Sequence, residues 1–261
     1  RSMILLVDIG NTQTVYGVHD GTCLQQSWRQ ATDSRRTVDE HRAFLRPVFE
    51  DAEIHPRSVR GICIASVVPE ALGAAQQALE MLTRCSAMVV GPGLKTGVPI
   101  RVDNPREVGA DRIVNVAGAW NRHRCALIVV DFGTATTFDV IDRDGAYRGG
   151  AIAPGLQTSL DALVRRTAKL RQVEICAPPQ VTGRTTEQAM QSGLFYGYAG
   201  LVEGLVQQLK NENPEVERVL ATGGLASTLH PVVPAIHEVV EDLTLHGLWC
   251  IYNRNEHEIN D

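Results

Sequence analysis

Short apolar runs alternate with longer helical patterns along this chain, and the alternation predicts an α/β fold. Continuous apolar runs are typical of strands buried on both faces, and they predict strands at residues 3–7, 61–68, 126–130 and 219–221. Apolar residues at helical spacing predict helices at residues 37–49, 69–82, 104–121, 156–170, 185–210 and 243–252, the last followed by a polar tail.

Two of the predicted strands lead into turns with the pattern Asp-x-Gly. Asp8 and Gly10 follow the first strand, and Asp131 and Gly133 follow the strand at residues 126–130. Glycine permits a tight turn, and turn amides can hold phosphate oxygens while a carboxylate faces a cation. One such turn is weak evidence, because ordinary hairpins contain the same pattern.

The two hairpins align with each other along the sequence. When Asp8 is placed on Asp131, Thr14 falls on Thr137, and each hairpin is followed by an Asp-Gly turn, at residues 20–21 and 144–145. Such internal similarity predicts two related domains, which we place at residues 1–120 and 121–261. Facing turns of this kind could clasp a polyphosphate, and the alternative is two unrelated hairpins.

A third candidate site follows Asn104-Pro105-Arg106-Glu107, which predicts a capped helix start with a capping box. Gly109 then falls inside the predicted helix, where glycine costs up to about 1 kcal/mol relative to alanine. We therefore expect a close approach that requires Gly109. Asp111 and Arg112 follow, and they are either solvated charges or part of a site.

Glycines mark two further places. Gly193, Gly197, Gly200 and Gly204 recur along one side of a predicted helix, which suits tight packing on another helix, either within the chain or across a dimer interface. Thr222-Gly223-Gly224 follows a strand, where bare backbone could accept an adenine or ribose or simply connect strand to helix.

Composition narrows the functional classes. The chain has 261 residues, 44% of them hydrophobic and 21% charged, which is typical of globular proteins. A net charge of −5 gives no electrostatic footprint for nucleic acid. Nucleic acid is therefore not an expected partner. A membrane is not expected either, because every apolar run is shorter than a membrane span.

Cysteines and the N-terminus indicate a reduced, cytoplasmic protein. The six cysteines are scattered and form no C-x-x-C pair, so zinc and disulfides are not expected. The first apolar run is too short for a signal peptide. Arg1 and Ser2 resemble an expression remnant, and the natural start is expected at Met3.

Together these motifs resemble the type III pantothenate kinases of bacteria, which belong to the superfamily of acetate kinase, sugar kinases, Hsp70 and actin. The resemblance runs from Met3 to about Asn253. Asp-Phe-Gly-Thr-Ala-Thr-Thr-Phe-Asp at residues 131–139 combined with Gly-Ala-Asp-Arg at 109–112 is highly specific. The remaining matching pieces are residues 8–12, 104–105, 150–155, 186–193 and 222–224.

The resemblance implies two ribonuclease-H-like domains with ATP in the cleft between them. It implies a homodimer with the pantothenate pocket at the subunit interface. It also implies transfer of phosphate from ATP to pantothenate, giving 4′-phosphopantothenate in the first step toward coenzyme A. The required ions would be Mg²⁺ and a monovalent cation, K⁺ or NH₄⁺.

The same resemblance assigns roles to individual residues. Asp111 is the general base, Asp131 holds the monovalent cation, and Asp8 is expected to hold Mg²⁺ directly or through water. Thr185 stands where the family often has Asn, which puts the local helix cap in doubt. The ATP-binding set is Asp8, Ile9, Gly10, Asn11, Thr12, Gln13, Thr14, Val15 and Thr134, and the pantothenate-binding set is Gly109, Ala110, Asp111, Arg112 and Thr186, the last from either chain of the dimer.

Two other functions fit the same fold. One is a kinase with another acceptor, such as acetate or a sugar, and residues 109–112 argue for pantothenate instead. The other is a non-catalytic regulator, since some relatives are described as accessory transcription factors. That function predicts erosion of Asp111 or Asp131, and both are present.

Overall fold

The computed structural model describes residues 3–259, so the predicted expression remnant at Arg1 and Ser2 lies outside the described residues. Along the chain the elements are β1 (Met3–Ile9), β2 (Gln13–His19), β3 (Leu24–Ala31), α1 (Val38–Asp51), β4 (Val59–Ser66), α2 (Pro69–Thr83), β5 (Ala87–Val89), α3 (Ala110–His123), β6 (Leu127–Phe132), β7 (Ala135–Ile141), β8 (Tyr147–Pro154), α4 (Leu156–Arg166), α5 (Thr186–Glu212), β9 (Arg218–Gly223), α6 (Ala226–Leu229), β10 (Glu238–Val239) and α7 (Leu243–Ile259).

The chain divides into two compact units. The first contains the residues up to Val98, Asn104–Arg122 and the residues from Leu243 on, and the second contains Pro99–Asp103 and His123–Asp242. The units are therefore not two continuous halves of the sequence. The predicted boundary between residues 120 and 121 lies near one crossing of the chain, but the prediction missed the other crossings.

The first unit is built on a five-stranded sheet in the order β3-β2-β1-β4-β5. β1 pairs antiparallel with β2 and parallel with β4. One face of the sheet packs against α1 and α2 through a buried cluster that includes Leu5, Val7, Tyr16, Leu45, Phe49, Ile62 and Leu79. Leu5 and Val7 of β1 lie in this cluster, and successive side chains of a strand point to opposite faces, so Asp8 lies on the opposite face of β1.

Helix α7 belongs to the first unit although it lies at the end of the sequence. An ideal Cβ at Gly247 would lie 2.0 Å from the backbone oxygen of Val114, so α7 packs on α3 at backbone distance. Tyr252 packs with similar closeness beside Gly61 on β4. The assignment of residues 121–261 to a single second domain therefore does not describe this helix.

The second unit repeats the architecture of the first. Its five-stranded sheet has the order β10-β9-β6-β7-β8, which reproduces an antiparallel three-strand meander followed by two parallel strands. Its core joins the sheet to α5 and includes Ile128, Val130, Phe138, Phe195, Val202, Val206 and Val219. The duplication predicted from the two hairpins thus extends to the whole sheet, and the α/β fold class is confirmed.

Three helix boundaries differ from the sequence prediction. Residues 105–107 form a separate 3₁₀ turn, in which the Asn104 carbonyl accepts from Glu107 N–H at 3.1 Å, and α3 begins at Ala110. α4 ends at Arg166, before the predicted residue 170. The predicted polar tail continues α7 to Ile259, since Asn255 bonds both N–H and C=O of Lys95 and Glu256 pairs with Arg60.

None of the helices in the part of the chain that the structure describes is long and apolar enough to cross a membrane. All six cysteines fall within that part, and none of them forms a disulfide there.

Candidate functional site

The first Asp-x-Gly turn joins β1 to β2 and presents an exposed tip. Asp8 is half-buried at the end of β1, opposite Val15, while residues 11–13 are exposed. Gly10 N–H donates to the Gln13 carbonyl at 3.0 Å, and an ideal Cβ on Gly10 would lie 3.0 Å from that oxygen. Gly10 thus makes the turn tight enough to expose its backbone.

Buried neighbours hold this turn in place. Thr32 N–H donates to the Thr12 carbonyl at 2.9 Å, and the hydroxyls of Thr14 and Thr32 are 2.9 Å apart. Ile9 and Thr14 are both buried. Of the residues predicted to bind ATP, these two therefore lie beneath the turn, whereas Asn11, Thr12 and Gln13 lie on its surface.

The second Asp-x-Gly turn joins β6 to β7. Asp131 is half-buried and Thr134 is exposed, and Gly133 N–H donates to the Ala135 carbonyl at 3.1 Å. The Thr134 carbonyl accepts from Gly155 N–H at 3.1 Å and from the Thr158 hydroxyl at 2.7 Å. The start of α4 therefore fixes the position of Thr134.

Strand register corrects the sequence alignment of the two turns. Asp8 lies opposite Val15, but Asp131 lies opposite Thr137, so the second turn is one residue shorter. Thr14 therefore corresponds to Thr136 rather than to the predicted Thr137. Thr136 is buried like Thr14, and its hydroxyl bonds to Tyr198 OH. An ungapped comparison of the sequences carries no sign of this deletion.

Two oxygens converge beside Gly223, at the end of β9. An ideal Cβ on Gly223 would lie 2.5 Å from the Phe132 carbonyl oxygen and 2.7 Å from Asp131 Oδ1, and Gly223 has φ +92°. Strand pairing places Ser66 at the equivalent position of the first unit. A carboxylate and a carbonyl are the ligand types that hard cations prefer, so this cradle fits the cation expected at Asp131.

Asp111 lies in the first turn of α3 and is half-buried. Its Oδ1 accepts from Arg112 N–H at 2.8 Å. An ideal Cβ on Gly109 would lie 2.6 Å from the same oxygen. The prediction that Gly109 lies inside the helix is wrong, because α3 begins one residue later, at Ala110. The atom that closely approaches Gly109 belongs to the Asp111 carboxylate.

Burial changes the acidity of Asp111. Desolvation raises the pKa of its carboxyl above the ordinary value, although the hydrogen bond from the Arg112 amide and the Arg112 charge act to lower the pKa. A carboxylate with a raised pKa is a better proton acceptor near neutral pH, and such shifts are common at catalytic sites.

Thr186 is the exposed first residue of α5. Thr185 caps this helix, because its hydroxyl accepts from Gln188 N–H at 3.1 Å. The Gln188 side chain in turn accepts from Arg184 N–H at 3.0 Å. Threonine at position 185 therefore supplies the cap that the departure from the family pattern put in doubt.

The glycines of α5 face open space. Apart from the adjacent residues and the backbone of α5 itself, no described atom lies within 4 Å of an ideal Cβ at Gly193, Gly197, Gly200 or Gly204. Packing within the described chain therefore does not require glycine at these positions, which removes one of the two explanations considered for the stripe.

The described residues contain no cluster of three or more His, Cys, Asp or Glu side chains that could hold a metal ion. A divalent cation at Asp8 would therefore need further ligands from phosphate oxygens and water. This arrangement suits Mg²⁺, which usually keeps several waters and binds proteins through one or two carboxylates.

Comparison with known proteins identifies the family. The family model for type III pantothenate kinase matches residues 4–208. A type III pantothenate kinase from Citrifermentans bemidjiense is 48% identical, and the match covers 97% of this chain and 100% of the relative. One from Anaeromyxobacter sp. strain K is 49% identical, with coverage of 97% and 100%.

Solved structures with low identity share the fold. A protein described as a Baf family transcriptional activator from Campylobacter jejuni superposes with a TM-score of 0.60 at 20% identity, covering 97% of this chain and 99% of that one. A polyphosphate/ATP-glucomannokinase from Arthrobacter sp. strain KM gives a TM-score of 0.52 at 14% identity, with coverage of 97% and 100%. The family model matches most of the chain, and these relatives share almost half of their residues with it over nearly the full length of both chains. The chain therefore belongs to the type III pantothenate kinase family.

Proposed function

We propose that this protein transfers the γ-phosphoryl group of ATP to pantothenate, giving 4′-phosphopantothenate and ADP. Membership of the family carries this proposal, since relatives of the same length bear that name. Phosphoryl transfer depends mainly on positioning and charge stabilisation, with little covalent chemistry. The two exposed turns and the half-buried, partly desolvated carboxylate of Asp111 are suited to those tasks.

Asp111 is proposed as the general base. The primary hydroxyl of pantothenate gives its proton to the Asp111 carboxylate, its oxygen bonds to the γ-phosphorus, and the bond to the ADP oxygen breaks. General-base catalysis of this kind contributes roughly 10²–10⁴-fold to rate. The raised pKa of Asp111 and the space left by Gly109 support this role.

The ATP phosphates are proposed to contact the exposed backbone and side chains of Asn11, Thr12 and Gln13, together with Thr134. Ile9 and Thr14 support that turn from beneath, because they are buried. Asp8 would hold Mg²⁺ and Asp131 would hold K⁺ or NH₄⁺, and these cations would neutralise charge on the phosphates.

Pantothenate is proposed to bind along residues 109–112, with Arg112 near its carboxylate or the migrating phosphoryl group. Arginine remains charged at any pH of interest and matches carboxylate and phosphate geometry. Thr186 is proposed to contact the substrate from the same chain or from a partner. Since ATP is the donor, we infer a cytoplasmic location.

A homodimer is the partner that best fits the glycine stripe of α5. Glycine in a helix interior costs up to about 1 kcal/mol relative to alanine, and no described atom occupies the space beside these glycines. A second copy of the chain packing on this face would account for all four. The pantothenate pocket would then include residues near the start of the same helix.

A coupled assay of ADP release tests the proposed function against its two rivals. Pantothenate, acetate and glucose are compared as acceptors, each with and without K⁺. The proposal predicts that, of the three acceptors, only pantothenate supports ADP release and that this release depends on K⁺. Turnover with acetate or glucose would indicate a kinase with another acceptor, and ATP binding without any turnover would indicate a regulator. The similarity to the transcriptional activator does not decide between kinase and regulator, because at 20% identity it shows the fold alone.

A further inference from the structure

A chain of hydrogen bonds links α5 to the second Asp-x-Gly turn. Tyr198, on α5, donates its hydroxyl proton to the Pro154 carbonyl at 2.8 Å, and its hydroxyl also bonds to the Thr136 hydroxyl. Pro154 C=O and Gly155 N–H belong to one peptide group, and that N–H donates to the Thr134 carbonyl at 3.1 Å. The chain therefore starts at Thr136 and returns to the same hairpin two residues away.

The proton of the Tyr198 hydroxyl sets the direction of this chain. A tyrosine hydroxyl carries a single proton, and a carbonyl can only accept one, so the Thr136 hydroxyl donates to the oxygen of Tyr198. Both side chains are buried. Burial raises the pKa of the Tyr198 hydroxyl above its ordinary value, so Tyr198 keeps the proton that it donates to Pro154 at neutral pH.

The middle of the chain is rigid and closely packed. A peptide group is planar, so a shift of the Pro154 carbonyl also moves the Gly155 N–H. An ideal Cβ on Gly155 would lie 2.3 Å from the Thr134 carbonyl oxygen and 2.6 Å from that of Gly133. Backbone therefore packs directly on backbone here, and the position of this peptide group determines that of the turn.

The first unit supports its equivalent threonine differently. The Thr14 hydroxyl lies 2.9 Å from the Thr32 hydroxyl, and Thr32 N–H donates to the Thr12 carbonyl at 2.9 Å. Thr32 directly follows β3, which pairs with β2, so the first turn is supported by its own sheet. In the second unit the support for the buried threonine comes from a helix, through Tyr198.

We propose that Tyr198 is a positioning residue for the ATP phosphates, acting on Thr134 through the peptide group of Pro154 and Gly155. Thr134 is exposed, and its carbonyl accepts the last hydrogen bond of the chain. Every member of the chain belongs to the second unit. The inference rests on the proposed function in that it requires Thr134 to contact ATP.

The expected effect is a selective loss of ATP affinity. Tyr198→Phe removes the hydroxyl and keeps the ring, and it should raise Kd for ATP about three- to tenfold, the factor that one typical hydrogen bond contributes. Calorimetry without pantothenate measures this Kd. KM for pantothenate, and kcat at saturating ATP, should stay near wild-type values.

Two substitutions at Thr136 test whether the hydroxyl chain carries the effect. Thr136→Val removes the hydroxyl that orients Tyr198, so it should also raise Kd for ATP, whereas Thr136→Ser keeps a hydroxyl and should bind ATP nearly as the wild type does. The double variant Thr136→Val/Tyr198→Phe should bind ATP no more weakly than Tyr198→Phe, because both residues act through one chain.

Tyr252→Phe is the control for a loss of stability without a loss of positioning. Tyr252 is a buried tyrosine of the first unit, and its side chain bonds to Glu256. Its substitution should lower the melting temperature and leave Kd for ATP unchanged. Melting curves show that each variant is folded at the assay temperature, and Thr136→Val alone decides the question if Tyr198→Phe is not.

The outcomes separate this inference from the proposed function. An unchanged Kd for ATP in Tyr198→Phe, or an equal rise in Tyr252→Phe, overturns the inference alone. A wild type that binds ATP but releases no ADP with pantothenate overturns the proposed acceptor, while the Kd of Tyr198→Phe still decides the role of Tyr198. A wild type that binds no ATP overturns both.

Discussion

The Asp111 carboxylate occupies the space that a side chain at position 109 would fill. Oδ1 of Asp111 would lie 2.6 Å from an ideal Cβ on Gly109, and the next neighbour, Val67 Cγ1, would lie 3.7 Å away. Among the described residues the only severe contact is with the far end of a side chain, so alanine at position 109 would displace Asp111 and little else. A substitution at Gly109 should therefore change the position of the Asp111 carboxylate while leaving the stability of the fold nearly unchanged.

Gly109→Ala should therefore lower kcat with pantothenate by up to about 100-fold, the loss typical of a catalytic group misplaced by about 1 Å. Thermal stability and ATP binding should remain near wild-type values. Steady-state kinetics and a melting curve measure these quantities. Gly91→Ala is the control, because a Cβ there meets no described atom within 4 Å, and a similar kinetic loss in that variant would contradict the account.

The pH dependence of kcat/KM for pantothenate should report the pKa of Asp111. The base works only when deprotonated, so activity should fall as pH falls through that pKa. Burial raises the pKa, and the acidic limb should therefore lie above 3.8, the ordinary value for aspartate. Circular dichroism over the same range controls for acid unfolding. A limb at or below the ordinary value would contradict the desolvated environment of Asp111.

Gly223→Ala should abolish stimulation by K⁺. The added Cβ would lie 2.5 Å from the Phe132 carbonyl and 2.7 Å from Asp131 Oδ1, inside the cradle proposed for the cation. ADP release titrated with K⁺ measures the effect, and Asp131→Ala should lose the same stimulation.

Gly21→Ala controls for backbone strain in the K⁺ experiment. Gly21 has φ +98°, close to the +92° of Gly223, but a Cβ there meets no described atom within 4 Å. Both variants carry a similar cost for the left-handed backbone, on the order of 1–2 kcal/mol. K⁺ stimulation that persists in Gly223→Ala, or disappears in Gly21→Ala, would refute the cradle.

Gly197→Leu should convert the proposed dimer to monomer. Leucine favours a helix more than glycine by up to about 1 kcal/mol, so the variant should fold, but its side chain would fill the space assigned to a second copy. Light scattering after size-exclusion chromatography gives the mass. Gly73→Leu, in α2, is matched because a Cβ there also meets open space. If the Gly197→Leu variant is still a dimer, the dimer interface does not lie on this face of α5.

The sequence predicted the parts of the structure that depend on local pattern. The hairpins at Asp8 and Asp131 and the buried strands could be read from apolar runs and glycine turns, and the shared strand order confirms the duplication. The close approach at Gly109 was also predicted, but its partner was not. That partner, Asp111, is two residues away and adopts a conformation that no propensity reveals.

Other features depend on long-range packing that local patterns do not encode. The return of α7 to the first unit results from backbone contact between Gly247 and Val114, which are far apart in sequence. The one-residue deletion in the second turn is visible only from strand register, where Thr136 rather than Thr137 matches Thr14. The link from Arg101 to Asp142 joins residues whose charges alone would suggest only a solvated surface.

The most direct test of the account is pantothenate-dependent ADP release by Asp111→Asn beside the wild type, with ATP binding measured calorimetrically on the same samples. Asparagine keeps the shape of Asp111 but accepts no proton, so turnover should fall by at least about 100-fold, within the range for loss of a general base, while ATP affinity stays within about twofold. Turnover near the wild-type rate in Asp111→Asn would contradict the central claim that this carboxylate deprotonates the acceptor.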